Sequence, residues 1–164
     1  MKNLVTANQS HIEDAFEKIN KVARFLKRND FNEFAVVGSS ALLVCGFPLN
    51  RNVGDIDIEV ICSHKREQVF KALADAYGNN FYEAREEYPE VAGSTHKPYI
   101  FEIAGVKVNV WCVKEFTHSM LVEARGIRFS TLMSTLCRKM AYKRKKDSRD
   151  ALSFASTLIE IVSR

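Results

Sequence analysis

Apolar positions along the chain follow two periods, and the switches between them outline the elements. Ile12, Phe16, Ile19, Ala23 and Leu26 recur every three or four residues, the stripe of an amphipathic helix. Ser10 followed by Glu13 fits a capping box, so this helix is expected to start at Ser10. It is expected to end between Lys27 and Asp30, where basic residues suit the negative end of the helix dipole. Phe34 to Val37 is a short β-rich run, a first strand. The small residues Gly38-Ser39-Ser40 then predict a turn, with Ser39 or Ser40 capping a short helix over 41–45. From Val53 to Cys62 the period falls to two. Ile56 and Ile58 point to one face, and Asp55, Asp57 and Glu59 to the other.

A third helix is expected from Ser63, with Val69, Leu73 and Ala76 inward, stopping at the turn residues Gly78-Asn79-Asn80. The acidic stretch Glu83 to Glu90 and the run Gly93 to Pro98 have no period and read as a loop or irregular edge strand bordering the substrate. Tyr99–Ile103 and Val106–Val113 predict a hairpin around Ala104-Gly105. Phe101, Ile103, Val106, Val108 and Val110 then share one face, and Glu102, Lys107 and Asn109 the other. Phe116 to Ala124 reads as a short helix ended by Gly126. Ser130 opens another through Leu132, Leu136, Met140 and Tyr142. After a break near Lys145-Lys146, a last helix runs from Ser148 to Val162 with the stripe Leu152, Ala155, Leu158, Ile159 and Val162. This order predicts an α+β fold: a mixed central sheet of four to five strands flanked by helices, with C-terminal helices. The expected organisation is a single domain over 1–164, with an α/β core over 1–128 and a helical segment over 129–164.

With 164 residues the chain is long enough to bury a sizeable core. Apolar content of 46% and charged content of 27% suit a soluble globular protein. No apolar run approaches the roughly 20 residues a bilayer span needs, and the N-terminus lacks an apolar signal core. A cytoplasmic protein with no membrane partner is therefore expected. The four cysteines form no CxxC pair and read as reduced thiols, which argues against zinc. The four scattered histidines read as surface or capping residues. Net charge is only +4, but Arg138, Lys139, Lys143, Arg144, Lys145, Lys146 and Arg149 are concentrated in one segment. Such a cluster attracts phosphates, so nucleic acid is a candidate partner through Arg138 to Arg149. The same run also fits a solvated helix face and a polar turn, and it carries no aromatic platform for stacking bases.

The candidate chemistry lies in Ala35 to Ile61. Asp55 and Asp57 are about 7 Å apart along one strand face and repel unless a cation sits between them. Mg²⁺ characteristically takes one or two carboxylates together with substrate phosphates. Gly38 allows close backbone approach, and a helix N-terminus behind it presents free N–H groups to an anion. In this order Gly38, Ser39, Gly46, Arg51, Asp55 and Asp57 resemble the nucleotidyltransferase fold of the DNA polymerase beta superfamily. The closest look is to its minimal nucleotidyltransferases and to the nucleotidyltransferase-like toxins of abortive-infection systems. Lys139, Arg144, Lys146, Asp147 and Asp150 match a later pattern of the same families, so the resemblance covers roughly Phe34 to Leu152 with a gap between.

The resemblance implies transfer of a nucleoside monophosphate from an NTP to a hydroxyl acceptor, with Mg²⁺ or Mn²⁺. Asp55 and Asp57 are then the catalytic carboxylates and metal ligands. Gly38 and Ser39 cradle the β- and γ-phosphates, and Arg51 and Lys139 neutralise the triphosphate. A small molecule, a protein side chain and an RNA end remain open as acceptors. The families carry a third acid between hydrophobic residues on a later strand. The matching place is Val108-Asn109-Val110, an amide that has no charge and cannot take a proton. Glu59 and Glu102 are candidate substitutes, although Glu102 also suits a plain cross-strand pair with Lys107. Three functions stay open: the transferase; a catalytically silent module of the same fold that binds nucleotide, RNA or a protein partner; and a basic nucleic-acid-binding protein whose acids are incidental.

Overall fold

The computed structural model describes residues 2–47, 49, 52–77, 98–117, 120–142 and 145–162. Its elements are α1 (Lys2–Arg28), β1 (Phe34–Val37), α2 (Gly38–Val44), β2 (Asp55–Ile61), α3 (His64–Tyr77), β3 (Tyr99–Ile103), β4 (Val106–Val113), β5 (Leu121–Ala124), β6 (Ile127–Ser130), α4 (Leu132–Tyr142) and α5 (Lys145–Val162). The strands form one mixed sheet in the order β3-β4-β2-β1-β6-β5. At its centre β1 and β2 are antiparallel. Each has a parallel neighbour, β6 and β4 respectively, and an antiparallel hairpin closes each edge. The fold is α+β.

Six strands replace the expected four to five because the residues read as a helix over 116–124 contain β5, and Ser130, expected to open a helix, ends β6. Leu121-Val122-Glu123-Ala124 is too short to show a period of its own. The deciding signal is Arg125-Gly126, with φ of 51° and 71°. Two left-handed residues in succession match the twist of a two-residue hairpin. Ala104-Gly105, with φ of 50° and 77°, does the same for β3 and β4. Arg125 also fastens its hairpin to α1. Its guanidinium lies over the Phe16 ring and donates to both Glu13 oxygens, which holds that carboxyl below its usual range.

One face of the sheet, with Val36, Ile56, Ile58, Val60, Phe101, Val108, Val110 and Phe129, packs into the apolar core with Phe16, Ile19, Val22 and Leu26 of α1 and Phe70 of α3. Fully burying side chains of this size stabilises by roughly 1.5–3 kcal/mol each. Phe16 meets Phe129 edge-on at 5.8 Å, and Phe31 tilts against Phe70 at 4.5 Å. Three local expectations change. Ser10 lies inside α1 and does not cap it, since no Gly or Pro interrupts the residues before it. In α3 Phe70 is fully buried and Leu73 packs against the core as expected; Val69 is 42% exposed and Ala76 is exposed, because the larger ring takes the core position. In α5 Leu152 is 68% exposed and Ala155 is exposed, while Phe154 packs on Phe47 at 5.7 Å. The stretch expected to border the substrate lies outside the described residues except for Pro98, which is buried.

Candidate functional site

β1 passes into α2 without a linker, at Gly38. The capping position is Val37, and no side chain caps the helix. Ser39 and Ser40 therefore sit in the first turn and not at the cap, because the left-handed Gly38 (φ 68°) already makes the bend. The antiparallel register sets Val37 opposite Asp57. As a result, a Cβ added at Gly38 would stand 2.2 Å from Asp57 Oδ2. Glycine is required here twice, by its φ and by the carboxylate that fills the space.

The parallel pairing of β2 with β4 completes the site. It sets Asp55 beside Lys107, Asp57 beside Asn109 and Glu59 beside Trp111. Asn109 is fully buried, and its Nδ2 donates to Asp55 Oδ2 at 3.0 Å and to Asp57 Oδ1 at 2.7 Å. One amide nitrogen thus bridges the two acids, and hydrogen bonds to charged acceptors of this kind contribute about 1.5–3 kcal/mol each. Among the described residues no group of three or more His, Cys, Asp or Glu could hold a metal ion. The donor set is two carboxylates and an amide. Two carboxylates converging on one point fit a hard dication that completes its shell with phosphate oxygens and water.

The two candidate substitutes are engaged elsewhere. Glu59 shares the Asp55–Asp57 face but is only 1% exposed. Its carboxylate accepts from Thr117 N at 3.0 Å, from the Thr117 hydroxyl, and from Arg138 Nη1 at 2.7 Å. It ties the segment after β4 to α4. Glu102 is exposed on the edge strand opposite Lys107, and the β3 residue facing Asn109 is Ile100.

Lys139, on α4, is 5% exposed. Its Nζ lies 3.3 Å from Ser39 Oγ, 3.1 Å from Asp147 Oδ1 and 2.9 Å from Asp150 Oδ2. This ammonium joins α4, α5 and the first turn of α2. Asp147 and Asp150 are themselves buried, so the cluster has its counter-charges built in. Arg51 and Arg144 lie outside the described residues. Gly46, with φ of 82°, follows the end of α2 and has nothing within 4 Å of a built Cβ. Of the basic run, Arg138 is held on Glu59 and Arg149 is exposed.

Reading the sequence alone leaves out the partners. Asp147 and Asp150 were visible as acids three apart at the entry of the last helix, and only the structure shows that they are buried. Thr117 carried no signal. Lys107 and Trp111 share the parity of Asn109, but only the β2–β4 register brings them to the site.

No family model matches the sequence, and no curated protein matches it. The structure is similar to the crystal structure of an antigenic nucleotidyltransferase-like protein from Paracoccidioides brasiliensis, with a TM-score of 0.48 and 17% identity, over 85% of this chain and 75% of that one. It is also similar to a candidate nucleotidyltransferase from Thermotoga maritima, with a TM-score of 0.37 and 18% identity, over 88% of this chain and 94% of that one. Both likenesses are of fold. Among the described residues no helix is long and apolar enough to cross a membrane.

Proposed function

We propose that the chain is a divalent-metal-dependent nucleotidyltransferase that moves a nucleoside monophosphate from an NTP to a hydroxyl acceptor. The observation that carries this reading is the contact of the Asp57 carboxylate with Gly38, with Asp55 drawn to the same Asn109 amide. Asp55 and Asp57 hold Mg²⁺ or Mn²⁺. A cation bound there supplies neutralisation of the triphosphate and of the charge that builds on the leaving pyrophosphate. Gly38 lets backbone N–H groups approach the phosphates. The Ser39 hydroxyl and the Lys139 ammonium extend that cradle, and Arg51 is the further cation. Asp147 and Asp150 hold Lys139 at Ser39. The acceptor is a small molecule, a protein side chain or an RNA end. The free cysteines, Cys45, Cys62, Cys112 and Cys137, suit a cytoplasmic setting.

One observation favours a second reading, a catalytically silent module that binds nucleotide, RNA or a protein partner. Asn109 satisfies both carboxylates with a neutral amide, and an amide cannot accept the proton that the acceptor loses. Radiolabelled NTPs with Mg²⁺ and a panel of acceptors separate the two. Transfer that disappears in Asp57→Asn supports the enzyme. NTP-dependent thermal stabilisation without transfer, with activity gained in Asn109→Asp, supports the silent module. Absence of both binding and transfer overturns both.

A further inference from the structure

We propose that Trp111 is the base-stacking residue of this site, the platform on which a nucleobase lies. The inference rests on the nucleotide reading above and adds where the ring is held. Along β4, Val108 and Val110 are fully buried in the apolar core. Lys107, Asn109 and Trp111 alternate with them and belong to the opposite face. The bonds from Asn109 to Asp55 and Asp57 identify that face as the one carrying the carboxylate pair.

The register fixes the order across the site. Lys107 stands beside Asp55, Asn109 beside Asp57, and Trp111 beside Glu59. Cation, amide and indole therefore follow one another along a single strand face. With strands about 4.8 Å apart and alternate residues about 6.6 Å apart, the Trp111 backbone is roughly 8 Å from that of Asp57 on the diagonal. That is the scale of the separation between the phosphate and the base of a nucleotide. The Gly38 turn lies on the other flank of β2, against Asp57. Phosphates at the turn and a ring over β4 straddle the carboxylates between them.

The setting of the indole fits this use. Trp111 is half-buried, whereas the core-facing valines before it are fully enclosed. Its lateral neighbour Glu59 is turned onto Thr117 and Arg138, so the acid beside the ring already has its partners. A large aromatic surface in line with the polar Lys107 and Asn109 of the same strand is suited to stacking a planar ring. Stacking tolerates every base, because each presents a π-face. Weak discrimination among the four NTPs follows. The base belongs either to the NTP or to a nucleic-acid acceptor, and the ligand chemistry is the same.

Trp111 is the only tryptophan in the chain, so intrinsic fluorescence reads this position alone. The wild-type protein is titrated, with Mg²⁺, with ATP, with tripolyphosphate and with a short oligoadenylate, while calorimetry follows binding in parallel. Quenching by ATP and not by tripolyphosphate supports a ring of the NTP on the indole. Quenching by the oligoadenylate alone supports a ring of the acceptor. In either case Trp111→Ala weakens binding of the quenching ligand about tenfold or more, and Trp111→Phe restores most of it. Equal quenching by tripolyphosphate, or binding of both ATP and the oligoadenylate that neither quenches nor weakens in Trp111→Ala, overturns the inference and leaves the nucleotide reading standing. No binding of any of the three overturns both.

Discussion

Replacing Gly38 by alanine tests whether the turn and the carboxylate form one unit. The added Cβ would stand 2.2 Å from Asp57 Oδ2, whereas real Cβ contacts essentially never fall below 3.0 Å. Oδ2 must move by nearly an ångström, which displaces the carboxylate whose Oδ1 accepts the 2.7 Å bond from Asn109 Nδ2. A second cost is conformational, because φ of 68° is left-handed and costs an L-residue roughly 1–2 kcal/mol. Gly126→Ala is the control. Its φ is 71°, nearly the same, and nothing lies within 4 Å of its built Cβ. Both variants are expected to lose about 1–2 kcal/mol from the backbone term, measured by urea unfolding. Gly38→Ala is expected to lose about 1–3 kcal/mol more from the displaced, buried hydrogen bond. Only Gly38→Ala should also lose Mg²⁺-dependent NTP binding, followed by calorimetry. Equal binding by the two variants would mean that the turn and the carboxylate do not act as one unit.

Other outcomes follow from the same geometry. Asn109→Asp removes two donated hydrogen bonds and adds a third like charge, so without metal it should be about 2 kcal/mol less stable or more. Millimolar Mg²⁺ should restore that loss more than it helps the wild type, and equal effects on both in urea unfolding would count against a cation site. Lys139→Met takes the Lys139 ammonium away from the buried Asp147 and Asp150 and should cost about 3–5 kcal/mol. Adding Asp147→Asn and Asp150→Asn should recover much of it; an unrecovered loss would mean that packing and not charge is at stake. The Cys112 thiol hydrogen-bonds to Cys62, which lowers Cys62 below the ordinary thiol range, while that bond and burial push Cys112 up. Alkylation followed by peptide mass spectrometry should therefore label Cys62 before Cys112 as pH rises toward about 8.5, and Cys112→Ala should move Cys62 labelling to higher pH. Cys112 labelled first would contradict this.

What could be read from the chain divides by the range of the interactions. The β3–β4 hairpin and β2 were legible because alternation runs through five to eight residues and Ala104-Gly105 supplies the turn. The β5–β6 hairpin was missed because its four-residue strands are too short for a period, although Arg125-Gly126 carries the same turn chemistry. The identities of Asp55, Asp57 and Asn109 were visible, but their meeting depends on a parallel register that pairs residues 52 apart in sequence, which no local pattern encodes. The engagement of Glu59 is of the same kind, since Thr117 and Arg138 arrive from a later segment and a later helix. For Lys139, position in the cluster was apparent and burial was not. Its two acids follow it in the next helix, where they could be read equally well as a solvated face.

In the proposed function, Asp55 and Asp57 together hold a cation that in turn holds a nucleotide beside Gly38. The most direct measurement is calorimetric titration of an NTP, with Mg²⁺ and with EDTA, into the wild type and into the double variant Asp55→Asn, Asp57→Asn. The double variant removes the like-charge repulsion and keeps an amide oxygen at each position to accept from Asn109, so it is expected to stay folded, which circular dichroism checks. Binding that requires Mg²⁺ and falls at least tenfold in the double variant is the predicted result. NTP binding that persists in EDTA, or is unchanged when both carboxylates are gone, would contradict the account.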